Sequence, residues 1–312
     1  MSLTRRSALG VLVAAAARPA MARQRFFGPG GPAIGVNLYM VQAAYRGDPE
    51  GTLEALAKIG FREIETTLNP AQTPRLVAGL KRFGLKCSAA AVLPKPLGDL
   101  PGLQSDPGRL AEALHALGAQ YLVCTLFPLP PSVDLAAQAA GKSGGLLEAA
   151  RNLTADDWKR TAEVLNERGA ALRRHGVTFA YHNHNPEFAP HGETNGLAIL
   201  LEHTDPQAVV FEMDAGWVVA AGHDPVEILR AYPGRFRLMH VKDIASTQQA
   251  NLAFHADTTE VGSGVIDWKR VLTAARASGV RHYAVEQEPP YTRMPPLEAA
   301  RKAYDYLSRL EA

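Results

Sequence analysis

Residues 209–214 read VVFEMD, and residues 236–243 read FRLMHVKD. Each stretch is a short apolar run that ends in polar residues, which is typical of a buried strand whose last residues reach the surface. An amphipathic stretch at residues 225–231 lies between them and predicts a helix. A strand, a helix and a second strand in this order indicate a parallel βαβ unit.

The same alternation occurs eight times along the chain. The predicted strands cover residues 33–39, 62–66, 85–92, 121–124, 178–182, 209–214, 236–241 and 283–286. The predicted helices cover residues 49–59, 74–83, 107–117, 155–174, 197–202, 225–231, 268–277 and 297–310. These pairs predict an α/β fold, the closed (β/α)8 TIM barrel. A doubly wound open sheet is the alternative, but no glycine-rich dinucleotide turn follows the first strand.

The composition of the chain is that of a globular protein with a sizeable core. Of its 312 residues, 46% are hydrophobic and 21% are charged, and the formal net charge is +2. The first 22 residues contain three arginines and no acid, so the remainder has 30 basic residues against 31 acidic ones. A nearly neutral body gives no electrostatic reason to expect nucleic acid or an anionic membrane as a partner.

The amino terminus has the parts of an export signal. Arg5 and Arg6 precede an apolar stretch of about ten residues, and Ala20-Met21-Ala22 is a small-residue cleavage site. The stretch is shorter than the ~20 residues that span a bilayer, and the paired arginines resemble a twin-arginine signal. We therefore expect residues 1–22 to be a signal peptide and residues 23–312 to form one barrel domain. The mature chain would be periplasmic, with no stable membrane association.

Two long connections, at about residues 125–153 and 244–267, follow the fourth and seventh predicted strands. Barrel enzymes build their sites on the face where strands end, and loops of this length are usually functional or disordered. We interpret both as substrate-covering segments, with disorder of the first as the alternative.

Imidazoles and carboxylates occur at the ends of four consecutive predicted strands. These strands end with His182, Asp214, His240 and Glu286. Such side chains are the usual ligands of manganese, cobalt, iron or zinc. The sequence therefore predicts one divalent metal ion per chain. A ring of hydrogen-bonded polar residues without metal is the alternative.

Over about residues 33–310, the chain resembles the xylose-isomerase-like superfamily of sugar isomerases and epimerases. The motifs that carry the resemblance lie at residues 34–39, 60–65, 181–184, 214–217, 240–243, 262–268 and 285–287. Family members hold one divalent metal with Glu, Asp, His and Glu, which implies Asp214, His240 and Glu286 as ligands here. His182 stands where the first glutamate is expected, and His184 is the alternative ligand if the register shifts by two residues.

This departure bears on the mechanism that the resemblance implies. Family epimerases use two metal-bound glutamates as bases, whereas a metal-bound imidazole has no free lone pair for a proton. Glu286 is therefore the candidate base. Lys242 has the same inward direction as His240 and could polarise a carbonyl or stabilise an enolate. A salt bridge from Lys242 to Glu65 or Glu212 is the alternative.

We expect an enzyme that removes a proton next to the carbonyl of an oxidised sugar and cleaves 3-oxo-glycosides. Isomerisation or epimerisation of a ketose or keto-sugar is the alternative, with Glu65 or Glu187 as second base. A non-catalytic periplasmic sugar-binding protein is a remoter one, and abasic-site endonucleases need a basic surface that the composition does not provide. The candidate substrate-binding residues are Glu65, His184, Glu187, His255 and Trp217, which could also pack at the rim.

Overall fold

The computed structural model describes residues 25–129, 133–139 and 145–311. Within these ranges, eight parallel strands pair in chain order and the last pairs with the first, which confirms the closed barrel over the open sheet. The strands are β1 (Gly35–Asn37), β2 (Glu63–Thr67), β3 (Lys86–Val92), β4 (Tyr121–Cys124), β5 (Thr178–His182), β6 (Val209–Asp214), β7 (Phe236–Val241) and β8 (His282–Val285).

Helices cover the outside of the barrel. They are α1 (Gln42–Gly47), α2 (Pro49–Ile59), α3 (Thr73–Phe83), α4 (Pro107–Leu117), α5 (Leu135–Ala139), α6 (Leu146–Arg151), α7 (Ala155–Arg173), α8 (Gly196–His203), α9 (Ala215–Ala220), α10 (Pro225–Ala231), α11 (Trp268–Ser278) and α12 (Pro296–Leu307). The predicted helix starts follow from capping. Asp48 accepts the Gly51 N–H ahead of α2, and Thr154 forms a capping box with Asp157 ahead of α7.

The first strand is shorter than predicted. It stops at Asn37 because a 3₁₀ helix, Leu38–Val41, begins there, and the Asn37 side chain accepts the N–H of Tyr39 at 2.9 Å. The sequence did not predict the short helix α9. It begins directly after β6 because the carboxylate of Asp214 accepts the Trp217 N–H at 3.0 Å.

Strand alternation determines which side chains lie inside the barrel. Ala180 on β5 and Leu238 on β7 belong to a small apolar cluster with Tyr121. His182 and His240 lie two residues further along the same strands and so share the inward direction. The layer of the interior just below these histidines is therefore apolar, and the carboxyl end above it carries polar side chains.

Several predictions concern residues outside the described ranges. The export signal at residues 1–22 lies there, as do residues 130–132 and 140–144 of the first long connection. The described parts of that connection contain α5 and α6. In the second connection, Asp243–Ile244 pairs with Thr258–Thr259 in a small antiparallel sheet. No helix among the described residues is long and apolar enough to cross a membrane.

Candidate active site

Three predicted metal ligands come together at the carboxyl end of the barrel. Asp214 Oδ2 lies 3.8 Å from His182 Nε2 and 3.5 Å from His240 Nδ1. One ligand atom from each residue fits within a mutual spacing of 4.8 Å, and all three residues are buried. We call these residues, His182, Asp214 and His240, the three-ligand cluster.

The remaining nitrogen of each histidine faces a carboxylate. His182 Nδ1 lies 3.0 Å from Glu212, and His240 Nε2 lies 3.1 Å from Glu65. Such outer carboxylates orient metal-binding imidazoles. Asp214 Oδ2 and His240 Nδ1 are both buried. Among the described residues outside the cluster, Asp214 Oδ2 contacts only the Lys242 ammonium, at 2.8 Å, and His240 Nδ1 has no hydrogen-bond partner. Atoms of this kind, aimed at one another, fit a divalent ion.

A second grouping is possible within the same residues. Glu65, Glu212 and His240 also bring ligand atoms within 4.8 Å of one another. That grouping uses the outer nitrogen of His240 and leaves Asp214 Oδ2 to Lys242 alone. The three-ligand cluster is the better fit, because it uses His240 Nδ1, which has no hydrogen-bond partner among the described residues, and leaves the outer nitrogens to Glu212 and Glu65.

The region contains more negative than positive charge. Glu65, Glu212, Asp214 and Glu286 are buried, and Lys242 is the buried ammonium among them. Burial, reinforced by the charge of Glu65, raises the pKa of Glu212 well above its usual range. Buried carboxylates in excess require protons or a cation, so a divalent ion suits this charge distribution.

Lys242 binds three carboxylates. Its Nζ lies 2.8 Å from Asp214 Oδ2, 2.7 Å from Glu286 Oε2 and 2.9 Å from Glu288 Oε1. It therefore pairs with neither Glu65 nor Glu212. A Cβ at Gly216 would lie 2.6 Å from the Lys242 side chain, so this glycine makes room for it.

Glu286 shares the Lys242 ammonium with Asp214. Among the described residues, it is not one of those whose ligand atoms lie within 4.8 Å of one another, so it stands outside the three-ligand cluster. Burial raises the pKa of Glu286 to about 7, with Lys242 opposing the rise and Glu288 adding to it. Such a carboxyl can exchange a proton near neutral pH.

His184 and Trp217 lie beside the cluster. The ring centre of His184 is 4.9 Å from that of His182 and 5.3 Å from that of Trp217. His182, rather than His184, is therefore the histidine that meets Asp214. Trp217 is only 2% exposed, and Lys242 Nζ lies 4.8 Å from its ring centre. The indole packs against His184 and Lys242 and has little exposed surface for a sugar.

Glu187 and His255 do not reach the cluster. Glu187 is buried, and its carboxylate accepts the Tyr181 hydroxyl at 2.8 Å. Tyr181 precedes the inward-facing His182 and so points to the outer face of the barrel wall. The side chain of His255 is 67% exposed and lies 3.4 Å from Asp257. The main chain of this segment, rather than its imidazole, approaches the site.

Asn185 was missed by sequence reasoning, although it fixes the segment after β7 over the site. Its amide donates to the Asn251 carbonyl at 2.9 Å and accepts the Phe254 N–H at 3.1 Å. Phe254 has a φ of 51°, which a bulky side chain rarely adopts, and its ring centre is 5.6 Å from that of His184. The contact spans 69 residues of sequence, and no local pattern indicates it.

Asp243 anchors the other end of the same segment. Its buried carboxylate accepts the N–H groups of Gly262 at 2.9 Å and Gly264 at 3.2 Å, and the Trp268 indole N–H at 3.0 Å. A Cβ at Gly264 would lie 2.2 Å from the carboxylate, so only glycine permits this approach. From the sequence, Asp243 was identified only as part of a motif.

Comparisons with known proteins agree with this architecture. The family model described as "Xylose isomerase-like TIM barrel" matches residues 53–310. An inosose dehydratase from Lacticaseibacillus casei is 30% identical over 214 residues, which are 63% of this chain and 66% of that protein. One from Clostridium tetani is 31% identical over 170 residues, 51% of this chain and 56% of that protein.

The chain thus spans about two thirds or less of the length of these relatives. A sugar phosphate isomerase/epimerase structure from Parabacteroides distasonis superimposes with a TM-score of 0.70 at 21% identity, covering 95% of this chain and 98% of the other. That likeness shows the fold. The family match confirms the resemblance found in the motifs. This chain belongs to the xylose isomerase-like TIM barrel family.

Proposed function

We propose that this chain is a divalent-metal-dependent lyase that cleaves 3-oxo-glycosides by elimination. The observation that carries the proposal is the position of Lys242. Its ammonium contacts both Asp214 of the three-ligand cluster and Glu286. The Lys242 ammonium thus lies next to a candidate cation site and next to a carboxyl whose pKa is about 7.

His182, Asp214 and His240 would hold the ion, with Glu212 and Glu65 orienting the two imidazoles. A divalent ion bound there supplies Lewis acidity, which polarises a carbonyl and acidifies the neighbouring C–H bond.

Glu286 is the proton acceptor in this proposal. In its ionised form it removes the proton from carbon 2 of the sugar, next to the 3-oxo group. Lys242 exchanges its contact with Glu288, the most exposed of its three carboxylate partners, for a hydrogen bond to the developing enolate oxygen. The electron pair then forms the double bond between carbons 1 and 2, and the bond from carbon 1 to the aglycone oxygen breaks. The departing oxygen takes a proton, so an unsaturated keto-sugar and the free aglycone are the products.

Two observations favour elimination over proton return on the opposite face. Glu187, one of the two candidates for a second base, lies on the outer side of the barrel wall against Tyr181. The inosose dehydratases to which the chain is similar are named for an elimination, the loss of water. Elimination needs only the carboxyl at Glu286.

The test compares two buried carboxyls in metal-loaded protein. Aglycone release from a panel of 3-oxo-glycosides is followed by NMR in deuterated water. Glu286→Gln should abolish release, whereas Glu187→Gln, the matched control, should keep substantial activity. Equal activity of Glu286→Gln and the wild type would refute the assignment of the base.

Epimerisation of a keto-sugar is the second candidate, and the position of Glu65 favours it. Glu65 is buried beside the cluster, with its carboxylate 3.2 Å from the Asn37 amide and 3.1 Å from His240. The same NMR experiment separates the two reactions. Deuterium incorporation into a free ketose, without aglycone release from any 3-oxo-glycoside, would replace elimination by epimerisation.

We further propose that the chain is exported by the twin-arginine route, which would place it where intact glycosides are met. The motivation is the Arg5-Arg6 pair ahead of an apolar stretch. Changing both arginines to lysine should stop export, with precursor accumulating in the cytoplasm. Normal periplasmic levels of that variant would exclude this route.

A further inference from the structure

A groove opens beside the candidate active site at the carboxyl ends of β1 and β2. Its lining includes Tyr39, Gln42, Tyr45, Arg46, Asn69 and Gln72. The volume is about 180 Å³, below the roughly 300–1,000 Å³ of pockets for drug-sized ligands, so the groove suits a single ring.

Asn37 connects this groove to the cluster. Its side chain donates to Glu65 at 3.2 Å and accepts the Tyr39 N–H at 2.9 Å. Burial raises the pKa of the Tyr39 phenol, and the charges of Glu288 and Glu286 raise it further. Tyr39 thus lines the groove within reach of the charges of Glu286 and Glu288.

The chemistry of the lining is that of a carbohydrate site. Tyr39 is 47% exposed, the most exposed large aromatic side chain of the described residues, and Tyr45 is half-buried. Within those residues, the side-chain amides of Asn69 and Gln72 and both tyrosine hydroxyls have no hydrogen-bond partner. Aromatic rings offer an apolar face to C–H groups, and free amides and hydroxyls offer partners to sugar hydroxyls.

The groove does not have the character of an anion site. Arg46 is the only cationic side chain in its lining, and its guanidinium already donates to Gln42. The guanidinium keeps its charge, but it is a single cation among described lining residues that are otherwise uncharged, so neutral hydrogen-bonding groups outnumber it.

We propose that this groove is an outer subsite that binds a second sugar ring, the leaving-group half of the glycoside. The inference rests on the proposed function and makes it more specific, because it selects disaccharide-type substrates over simple alkyl glycosides. Tyr39 contacts the departing ring, and Asn69 and Gln72 bind its hydroxyls. Asn37 is a positioning residue that fixes the backbone of Tyr39 relative to Glu65.

Two substrates of the same anomeric form test the subsite in metal-loaded protein. They are trehalose oxidised at carbon 3 of one ring and methyl α-glucoside oxidised at carbon 3. The wild type should prefer the first by about tenfold in kcat/KM, since binding energy away from the reacting centre contributes to catalysis. Tyr39→Ala should remove this preference. Tyr39→Phe keeps the ring and should keep most of the preference.

Gln72→Ala provides an independent variant, and Val164→Ala, an exposed change on α7, is the control that should leave the preference intact. A preference that survives in both Tyr39→Ala and Gln72→Ala would overturn the subsite. So would tighter binding of glucose 6-phosphate than of trehalose, which would show that the groove recognises an anion.

A binding measurement separates this proposal from the proposed function. Calorimetric titration with unoxidised trehalose needs no catalysis. If the wild type turns over neither substrate but binds trehalose, and Tyr39→Ala weakens that binding about tenfold, the function fails and the subsite stands. If the wild type does not bind trehalose, the subsite fails whatever the activity.

Discussion

The two ends of the barrel interior each carry a histidine–glutamate pair, and the pairs differ in their surroundings. Glu63 and Glu65 are two residues apart on β2 and face the same side of the sheet. Glu63 lies 2.9 Å from His282 at the amino end, and Glu65 lies 3.1 Å from His240 at the carboxyl end. The first pair is 20% and 24% exposed and the second 2% and 5%.

The distance between imidazole and carboxylate therefore does not distinguish a partly exposed pair from a candidate active site. At the carboxyl end, burial would lower the pKa of His240, but the carboxylates of Glu212 and Glu65 raise it well above the usual range. Asp214 is a further neighbour. Burial and the density of carboxylates are the features that favour a divalent ion there.

The largest expected effect is the loss of metal. A His240→Ala/Asp214→Ala double variant should lose the ion, with metal content falling from about one equivalent per chain to background, because two of three ligands are gone. Elemental analysis of protein purified without chelator measures it. The matched double variant at the amino end, His282→Ala/Glu63→Gln, should retain the wild-type content. Equal metal content in both variants would contradict the cluster.

Removing the ammonium between the carboxylates tests the charge balance. Lys242→Met should destabilise the metal-free protein by about 3–5 kcal/mol, since Asp214 and Glu286 lose their buried partner. Urea denaturation in the presence of a chelator gives the value. The control is Lys58→Met, which breaks an exposed pair with Glu54 on α2 and should cause no resolvable change. A similar midpoint for both variants would mean that Lys242 is dispensable to the fold.

Glu187 tests the effect of burial on the pKa of a carboxyl that has no charged neighbour among the causes of its shift. Burial raises the pKa of this carboxyl from 4.5 to about 7, with the Tyr181 hydrogen bond opposing the rise, so the folded chain holds the proton more tightly than the unfolded chain. The stabilisation is complete below about pH 4.5 and is lost as the pH rises through about 7. Glutamine cannot ionise, so Glu187→Gln should exceed the wild type by roughly 2–3 kcal/mol at pH 8 and match it at pH 4.5.

Denaturation curves at several pH values measure this difference. Parallel pH profiles for wild type and Glu187→Gln would show that Glu187 ionises freely in the folded protein.

The smallest effect is expected at the amino end. Glu63→Gln should cost less than about 1 kcal/mol, because partly exposed ion pairs contribute little. Thermal or urea unfolding of this single variant is sufficient. A loss as large as that of Lys242→Met would show that the two ends of the barrel are energetically alike.

The sequence was most informative about residues whose positions follow from strand alternation and from the ends of strands. His182, Asp214 and His240 could be predicted because carboxyl ends of parallel strands meet on one face of a barrel. The partners of Lys242 could not, because contacts between strands depend on the tilt and stagger of the closed sheet. A salt bridge to Glu65 or Glu212 was the alternative to a catalytic role, and the ammonium instead contacts Asp214, Glu286 and Glu288.

Other misses arise from local turns and long-range contacts. Trp217 was considered as a sugar-binding surface, but the helix capped by Asp214 turns its ring beneath His184. The contacts of Asn185 with Asn251 and Phe254 bridge 66 and 69 residues, beyond the reach of any periodic pattern.

The two anchors of the segment after β7 bear on how this protein can diverge. The Asp243 carboxylate accepts hydrogen bonds from the main-chain N–H groups of Gly262 and Gly264. The Asn185 amide forms hydrogen bonds with main-chain groups of Asn251 and Phe254. Main-chain groups are present whatever side chain follows them. The exposed side chains between the anchors, such as that of His255, can therefore be exchanged by drift or by library design while the path of the segment is kept. A lineage could in this way change the side chains that this segment presents to the substrate without changing the barrel.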